Sequence, residues 1–184
     1  MARAFVSDPL LVWMFPNSDL RSDMTAAWLG LLVEAYLRDG RVDSLREGDR
    51  TTAMAAWRIP DDATIGMPES PSTGGLLAGM VGQERAEEIS GALASLLALR
   101  PAQPFAYLQL LAVHPEAQGR GFGRRVLAPG LAAADEVGLG THLETTNRRN
   151  VPFYESLGFE VTGSIRLPSG GPEAWAMWRL PATV

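Results

Sequence analysis

Residues 107–128 read Tyr-Leu-Gln-Leu-Leu-Ala-Val (Tyr107–Val113), then His-Pro-Glu-Ala-Gln-Gly-Arg-Gly-Phe-Gly-Arg-Arg (His114–Arg125), then Val-Leu-Ala (Val126–Ala128). The first segment is apolar on both alternations, as in a strand buried on both faces. Pro115 has no N–H for a ladder, so the strand is expected to end before it. Gly119, Gly121 and Gly123 follow at every second position, with Gln118, Arg120, Arg124 and Arg125 between and after them. Glycines let a chain turn sharply and bring its N–H groups close to a ligand. A helix opening in such a loop adds unpaired N–H groups and the positive end of its dipole. The combination suits phosphate oxygens, with the arginines as added positive charge at the rim. A P-loop would need Gly-Lys-Ser or Gly-Lys-Thr, and Gly123 is followed by Arg124. The glycine spacing also misses the dinucleotide fingerprint. A purely structural Gly-rich turn is the competing reading.

Composition narrows the field. The 184 residues are 46% hydrophobic, enough to bury one core, so residues 1–184 are expected to form a single domain. Sixteen basic against 21 acidic residues give a charge of −5, which argues against nucleic acid as a partner. The chain has no cysteine. That removes disulfides, a cysteine nucleophile and thiolate metal sites, and suits a cytoplasmic protein. Two histidines, His114 and His142, are too few for a metal cluster, so no metal is expected. The apolar run Leu10–Phe15 is far too short for a membrane span, and no membrane partner is expected.

Along the chain, Asp8 to Pro16 is an apolar segment bracketed by prolines and reads as a short buried helix. Ser22, as N-cap, to Gly40 reads as a helix with Met24, Ala27, Trp28, Leu31, Leu32 and Ala35 on one face. Arg41–Asp49 and Thr51–Ile59 read as a hairpin turning at Glu47-Gly48-Asp49. Asp61 to Gly75 is rich in proline and glycine and reads as a loop, and Gln83–Leu99 as an amphipathic helix. After the Gly-rich loop, Val126, Leu127, Leu131 and Ala134 mark a helix that Pro129 is expected to kink. Thr141–Thr145 reads as a strand, and Asn150–Leu157 as a short helix stopped by Gly158. Phe159–Leu167 and Ala174–Leu180 read as a terminal hairpin.

Gln118-Gly119-Arg120-Gly121-Phe122-Gly123 fits the pattern Gln/Arg-x-x-Gly-x-Gly, and a second block, Asn147-x-x-Asn150-x-x-Phe153-Tyr154-Glu155-x-Leu157-Gly158-Phe159, follows at a fixed distance. In this order the two blocks resemble the signatures of the GNAT superfamily of acyl-CoA-dependent N-acetyltransferases. From Ala106 to Arg179 the pattern is most similar to the puromycin N-acetyltransferase-like members. Thr146-Asn147-Arg148 departs from that subgroup, so puromycin itself is not implied. The resemblance implies an α/β fold with a mixed α+β layout. Its central sheet is mostly antiparallel with one splayed parallel strand pair, and helices cover both faces. The first strand of the family is absent, since the chain opens near the end of the family's first helix, and the edge left open invites a homodimer. Residues 1–100 would supply acceptor-side helices and a hairpin, and residues 101–184 the acetyl-CoA-binding core and C-terminal hairpin.

The implied co-substrate is acetyl-CoA, and the implied reaction is acetyl transfer to an amine of a small molecule by direct attack in a ternary complex. Gln118, Gly119, Arg120, Gly121, Phe122, Gly123 and Arg124 would hold the pyrophosphate. Leu111, Ala112 and Val113 would present the backbone N–H that polarises the thioester carbonyl. The resemblance implies Asn147 and Asn150 near the pantetheine arm and Tyr154 as general acid, neutral at pH 7 with an ordinary pKa of ~10. Glu144, beside the splay, is the candidate base that accepts the amine proton. Each has a structural rival: Tyr154 as core, Glu144 as a buried acceptor, Asn147 and Asn150 as turn formers, His114 and His142 as strand residues. Leu10–Phe15, Trp28 and Trp175 are expected to shape an apolar acceptor pocket. The alternatives are a non-catalytic acyl-CoA-binding module, acting as sensor or scaffold, and a phosphate binder unrelated to coenzyme A.

Overall fold

A computed structural model describes residues 2–60 and 74–182. After a 3₁₀ turn, two helices open the chain: α1 (Pro9–Met14) and α2 (Ser18–Asp39). Both begin on side-chain caps. Asp8 accepts from the Leu10 N–H, and Asn17 from the Asp19 N–H, each satisfying one of the N–H groups a helix start leaves unpaired. The α2 cap is Asn17, five residues before Ser22, because the first turn is polar and its Leu20 stays exposed. Two helices therefore precede the first strand, at the two places where the sequence pattern predicts them.

The strands are β1 (Arg41–Glu47), β2 (Arg50–Arg58), β3 (Phe105–Val113), β4 (Gly140–Thr145), β5 (Glu160–Arg166) and β6 (Glu173–Arg179). They form one sheet in the order β1-β2-β3-β4-β6-β5. Only β3 and β4 pair in parallel; every other neighbour is antiparallel. Between β2 and β3 come α3 (Gly74–Val81) and α4 (Gln83–Ser95), the latter continued by a 3₁₀ turn over Leu96–Leu99. The sequence pattern shows no helix over α3; of the loop expected from Asp61 to Gly75, residues 61–73 lie outside the described residues and Gly74 and Gly75 open α3 instead. Helix α5 (Phe122–Glu136) links β3 to β4, and α6 (Val151–Glu155) follows β4. None of the described helices is long and apolar enough to cross a membrane.

Each face of the sheet has its own core. Ala53, Ala55 and Trp57 of β2 meet Phe122, Val126, Leu127 and Leu131 of α5 on one side. Leu11, Met14 and Phe15 meet Trp28, Leu29, Leu77 and Ile89 on the other. A bulge separates the two registers of β3: Ala56 opposes Leu110, but Trp57 opposes Leu108, which leaves Gln109 unpaired. Residues two apart in a regular strand share a face. Here Leu108 enters the α5 core while Leu110 packs against the α1–α4 core. The extra residue has shifted the pleat by one.

Helix α5 runs unbroken through Pro129, whose ring is exposed. Next to it, Gly130 lies against Trp57 so closely that a Cβ there would overlap the indole. We expect Gly130→Ala to destabilise the fold by about 1–3 kcal/mol through overpacking. Urea unfolding would read this as a lower midpoint with an unchanged slope, and an unshifted midpoint would show that the Trp57 ring moves aside freely.

Candidate active site

The Gly-rich loop turns twice in the left-handed region, at Gly119 (φ 74°) and Gly121 (φ 77°). Gly121 is the N-cap of α5 and provides no side chain to bond the first turn. The first N–H inside the helix to find a backbone partner is that of Arg125, on Gly121 O. The N–H groups just before it face outward at the positive end of a 15-residue helix. Gln118 ties the loop to the strand, donating Nε2 to Val113 O at 3.3 Å. The arginines are less free than the sequence suggested. Arg120 donates through both Nη atoms to Glu47, at 2.8 and 3.1 Å, and Arg124 donates to Ser156 O and Oγ.

β3 and β4 pair only over Phe105–Tyr107 and Gly140–His142. Beyond that point they part, four residues before the Ala112–Val113 position expected from the sequence. The His114 N–H donates to Thr52 O on the β2 side. By the alternation of an antiparallel ladder, the N–H groups of Leu111 and Val113 point the other way, into the parting.

A cavity of about 450 Å³ opens there. Leu108 to Leu111 form one wall, Thr145, Thr146, Asn150 and Tyr154 another, and Leu10, Leu11, Trp28, Leu29 and Leu32 a third. Tyr154 is 7% exposed. Burial pushes its phenol well above the ordinary tyrosine range, with the Asp8 charge adding to the rise. Asp8 lines the same cavity; burial raises its carboxyl, against the lowering effect of hydrogen bonds from Leu10 N–H and Thr146 Oγ1.

Glu144 also lines the cavity, and both of its oxygens are engaged. Tyr107 Oη donates to Oε2 at 2.6 Å, and His142 Nε2 lies 3.0 Å from Oε1. The Tyr107 and His142 rings stack, and the Arg100 guanidinium sits 5.1 Å above Tyr107. Burial, then the Glu144 charge, drives the Tyr107 phenol far up. Tyr36 Oη on α2 donates to Oε1 of the bulged Gln109 at 3.1 Å.

The predicted site residues fall into separate groups. Leu111, Glu144, Asn150 and Tyr154 line the cavity, as do Leu10, Leu11 and Trp28 from the expected acceptor pocket. Gln118 to Arg124 lie together at the α5 start, and Ala112 is buried in β3. Asn147 and Trp175 do not line the cavity: Asn147 accepts from the Arg149 N–H as the cap of a 3₁₀ turn, and Trp175 lies 5.9 Å from the Arg148 guanidinium. His114 ends β3, where it contacts Arg50. Asp8, Arg100, Tyr107 and Thr146 were not singled out from sequence, although all four line the cavity. Asp8 is the N-cap of α1 in the structure, and nothing in its local sequence signals a site.

A profile of the acetyltransferase (GNAT) family matches residues 32–159, more than half of the chain. The chain belongs to the GNAT family. It is 34% identical over 103 residues to an uncharacterised protein of Mycobacterium leprae, a match covering 54% of this chain and 28% of that protein. The chain spans about a quarter of the length of the curated relatives it matches. Among solved structures, a histone acetyltransferase HPA2-related acetyltransferase of Corynebacterium glutamicum is 26% identical, with TM-score 0.73, covering 100% of this chain and 88% of that one. An arylalkylamine N-acetyltransferase 2 of Aedes aegypti shares the fold at 12% identity and TM-score 0.64, covering 98% and 91%. GNAT proteins generally use acetyl-CoA. The donors here suit it, since outward N–H groups at the α5 start match a diphosphate and those of the parted β3 match a carbonyl and an amide chain.

The raised carboxyl of Asp8 has a defined pH signature. The folded state holds its proton more tightly than the unfolded chain, so the stability it contributes is full below the ordinary value of 3.8 and is lost as pH rises through the folded value. Asp8→Asn keeps an N-cap acceptor and removes the titration. The difference in unfolding free energy between wild type and Asp8→Asn is therefore expected to move against wild type as pH rises above 3.8 and then level off. A flat difference across that range would show that Asp8 is not held up by the fold.

Proposed function

We propose that the chain transfers an acetyl group from acetyl-CoA to the amine of a small molecule, by direct attack within a ternary complex. The observation that carries this reading is the meeting of Tyr154 with the parted strands in one cavity, at the level of Leu108–Leu111. Residues 1–184 act as one domain on this reading. Its first hundred residues wall the acceptor side and the rest hold the coenzyme. A cysteine-free chain fits a cytoplasmic setting. The likeness to the puromycin N-acetyltransferase-like members rests on the sequence blocks alone and specifies no acceptor.

The N–H groups from Gly119 to Arg124 would bind the diphosphate, and those of Leu111 and Val113 would bind the carbonyl groups beyond it. Ala112 holds β3 in register and Asn150 borders the arm from the opposite wall. Asn147 acts by shaping the turn beneath Asn150. Acetyl-CoA supplies an activated acyl carbon in a thioester. A donor aimed at the oxygen of that group stabilises developing charge there, by a few kcal/mol in comparable sites. Tyr154 Oη holds a proton at neutral pH and delivers it to the departing sulfur. With no cysteine in the chain, an acyl-cysteine is ruled out and direct attack is the simpler course. Leucines and Trp28 give the pocket an apolar body, and two carboxylates, Asp8 and Glu144, against one guanidinium, Arg100, leave it a negative balance that favours an ammonium.

The test is thiol release from acetyl-CoA in the presence of a panel of primary amines. Tyr154→Phe is expected to lower kcat by about 10²–10⁴ while calorimetry shows acetyl-CoA still bound. Binding with no thiol release by wild type on any amine would replace the enzyme with an acyl-CoA-binding module.

A further inference from the structure

Two carboxylates reach the cavity, and their hydrogen bonding differs. Glu144 uses Oε1 on His142 and Oε2 on Tyr107, with its side chain 6% exposed. Both of its oxygens thus already face a protein partner. At Asp8, the Leu10 N–H at 2.9 Å and Thr146 Oγ1 at 3.1 Å both go to Oδ1, and the Leu11 N–H of the same helix start adds a weaker backbone interaction with the carboxyl. Among the described residues no side chain donates to Oδ2. Asp8 is also held firmly. Its backbone starts α1, its Oδ1 is pinned from the far side by the segment that follows β4, and it is close enough to act on the Tyr154 phenol. A carboxylate with one oxygen held from two elements and the other without a side-chain partner, in the wall of a leucine-lined cavity, is arranged to receive a cation.

We propose that Asp8 Oδ2 is the group that binds the acceptor's ammonium and takes its proton, and that the acceptor is a primary alkyl amine with an apolar body. Glu144 instead positions Tyr107 and His142. The chemical step rests on the acetyl-transfer reading above, while the ammonium site does not need it. The acceptor arrives as R–NH₃⁺. One proton passes to Asp8 Oδ2, and the freed lone pair forms the C–N bond to the acetyl carbon. The C–S bond breaks with its electrons on sulfur, which takes the Tyr154 Oη proton. The second proton lost by nitrogen restores Tyr154, and Asp8 gives its proton to water. Ammonium and thioester become amide, thiol and one released proton.

Groups that face Asp8 from the surrounding elements are Thr146 after β4 and Tyr154 on α6, with Glu144 and Arg100 as the other charged side chains lining the cavity. The test uses hexylamine, charged at pH 7, and hexanol, its neutral counterpart, titrated calorimetrically into the full chain. Wild type is expected to bind hexylammonium at least tenfold more tightly than Asp8→Asn does, with hexanol affinity the same in both. In thiol-release assays with an accepted amine, Asp8→Asn raises KM at least tenfold and lowers kcat, and the acid limb of its pH profile disappears. Thr146→Val, which frees Oδ1 without removing the charge, raises KM and leaves that limb in place. Absence of hexylammonium binding to wild type, equal binding by Asp8→Asn, or a loss seen in Glu144→Gln alone would overturn the proposal. Asp8-dependent hexylammonium binding without thiol release on any amine would sink the acetyl-transfer reading and leave the ammonium site standing.

Discussion

The parting of β3 from β4 after three residue pairs is the constraint on which the site depends. Two parallel strands that begin paired would ordinarily continue, since every unmet N–H or carbonyl removed from water costs about 1–3 kcal/mol. Each strand here is anchored on its other side. β3 is laddered to β2 through Val113, and β4 to β6 through Thr145. Neither can close the gap without surrendering the ladder it already has. The bulge at Gln109 sets the side-chain arrangement at the parting, because the shifted pleat sends Leu108 and Leu110 to opposite cores. Main-chain donors beyond the bulge are then left facing the gap. A ligand with its own carbonyl and amide groups recovers what the broken ladder gave up.

The two faces of the sheet contribute different parts to that gap. On one face, α5 must begin where β3 ends and press flat against β2, which the Gly130–Trp57 contact permits. Its start is thereby fixed beside the end of β3, with its first-turn N–H groups unspent. On the other face, α1 and α2 close over the apolar wall, and Tyr36 reaches from α2 to the bulged Gln109. Asp8 and Thr146, both in the cavity lining, link this N-terminal cover to the segment after β4. The cover is thus tied to both sides of the parting, to β3 and to the segment after β4, through hydrogen bonds rather than apolar packing alone.

Much of this was legible in the sequence. Caps, breakers and periodicity located α1, the β1–β2 hairpin, β3, α5, β4 and the terminal hairpin, because those are local signals. The second Asn-to-Phe block placed Tyr154 in the cavity wall. Helix α3 escaped because Gly74-Gly75-Leu-Leu-Ala-Gly-Met-Val carries three glycines and has little apolar contrast around its circumference. Ser22 reads as the cap because the apolar stripe starts at Met24, while the polar first turn of α2 has no stripe to show. Neither the bulge nor the engagement of both Glu144 oxygens has a local signature. Both arise from pairings between segments far apart in the chain, Ala56 with Leu110 in one case and Tyr107 with Glu144 in the other. Asp8 shows in the sequence only as the start of the proline-bracketed apolar segment.

The neighbourhood of Asp8 and Tyr154 bears on the order of proton movements. The ionised Asp8 carboxylate raises the Tyr154 phenol beyond what burial alone does, which works against proton donation to a thiolate. At ordinary values of ~10 for tyrosine and ~8.5 for a thiol, the transfer is already uphill by about 2 kcal/mol. Coupling between two titrating sites is reciprocal. Once Asp8 carries the proton taken from the acceptor, its charge no longer opposes phenolate formation, and Tyr154 becomes a stronger acid. On the proposed mechanism an empty site would keep its acid firmly protonated, and an acceptor that has given up a proton would loosen it. The same charge that would receive the ammonium would then set the moment at which the sulfur is protonated, so that bond breaking is supported only after the nitrogen is ready to attack.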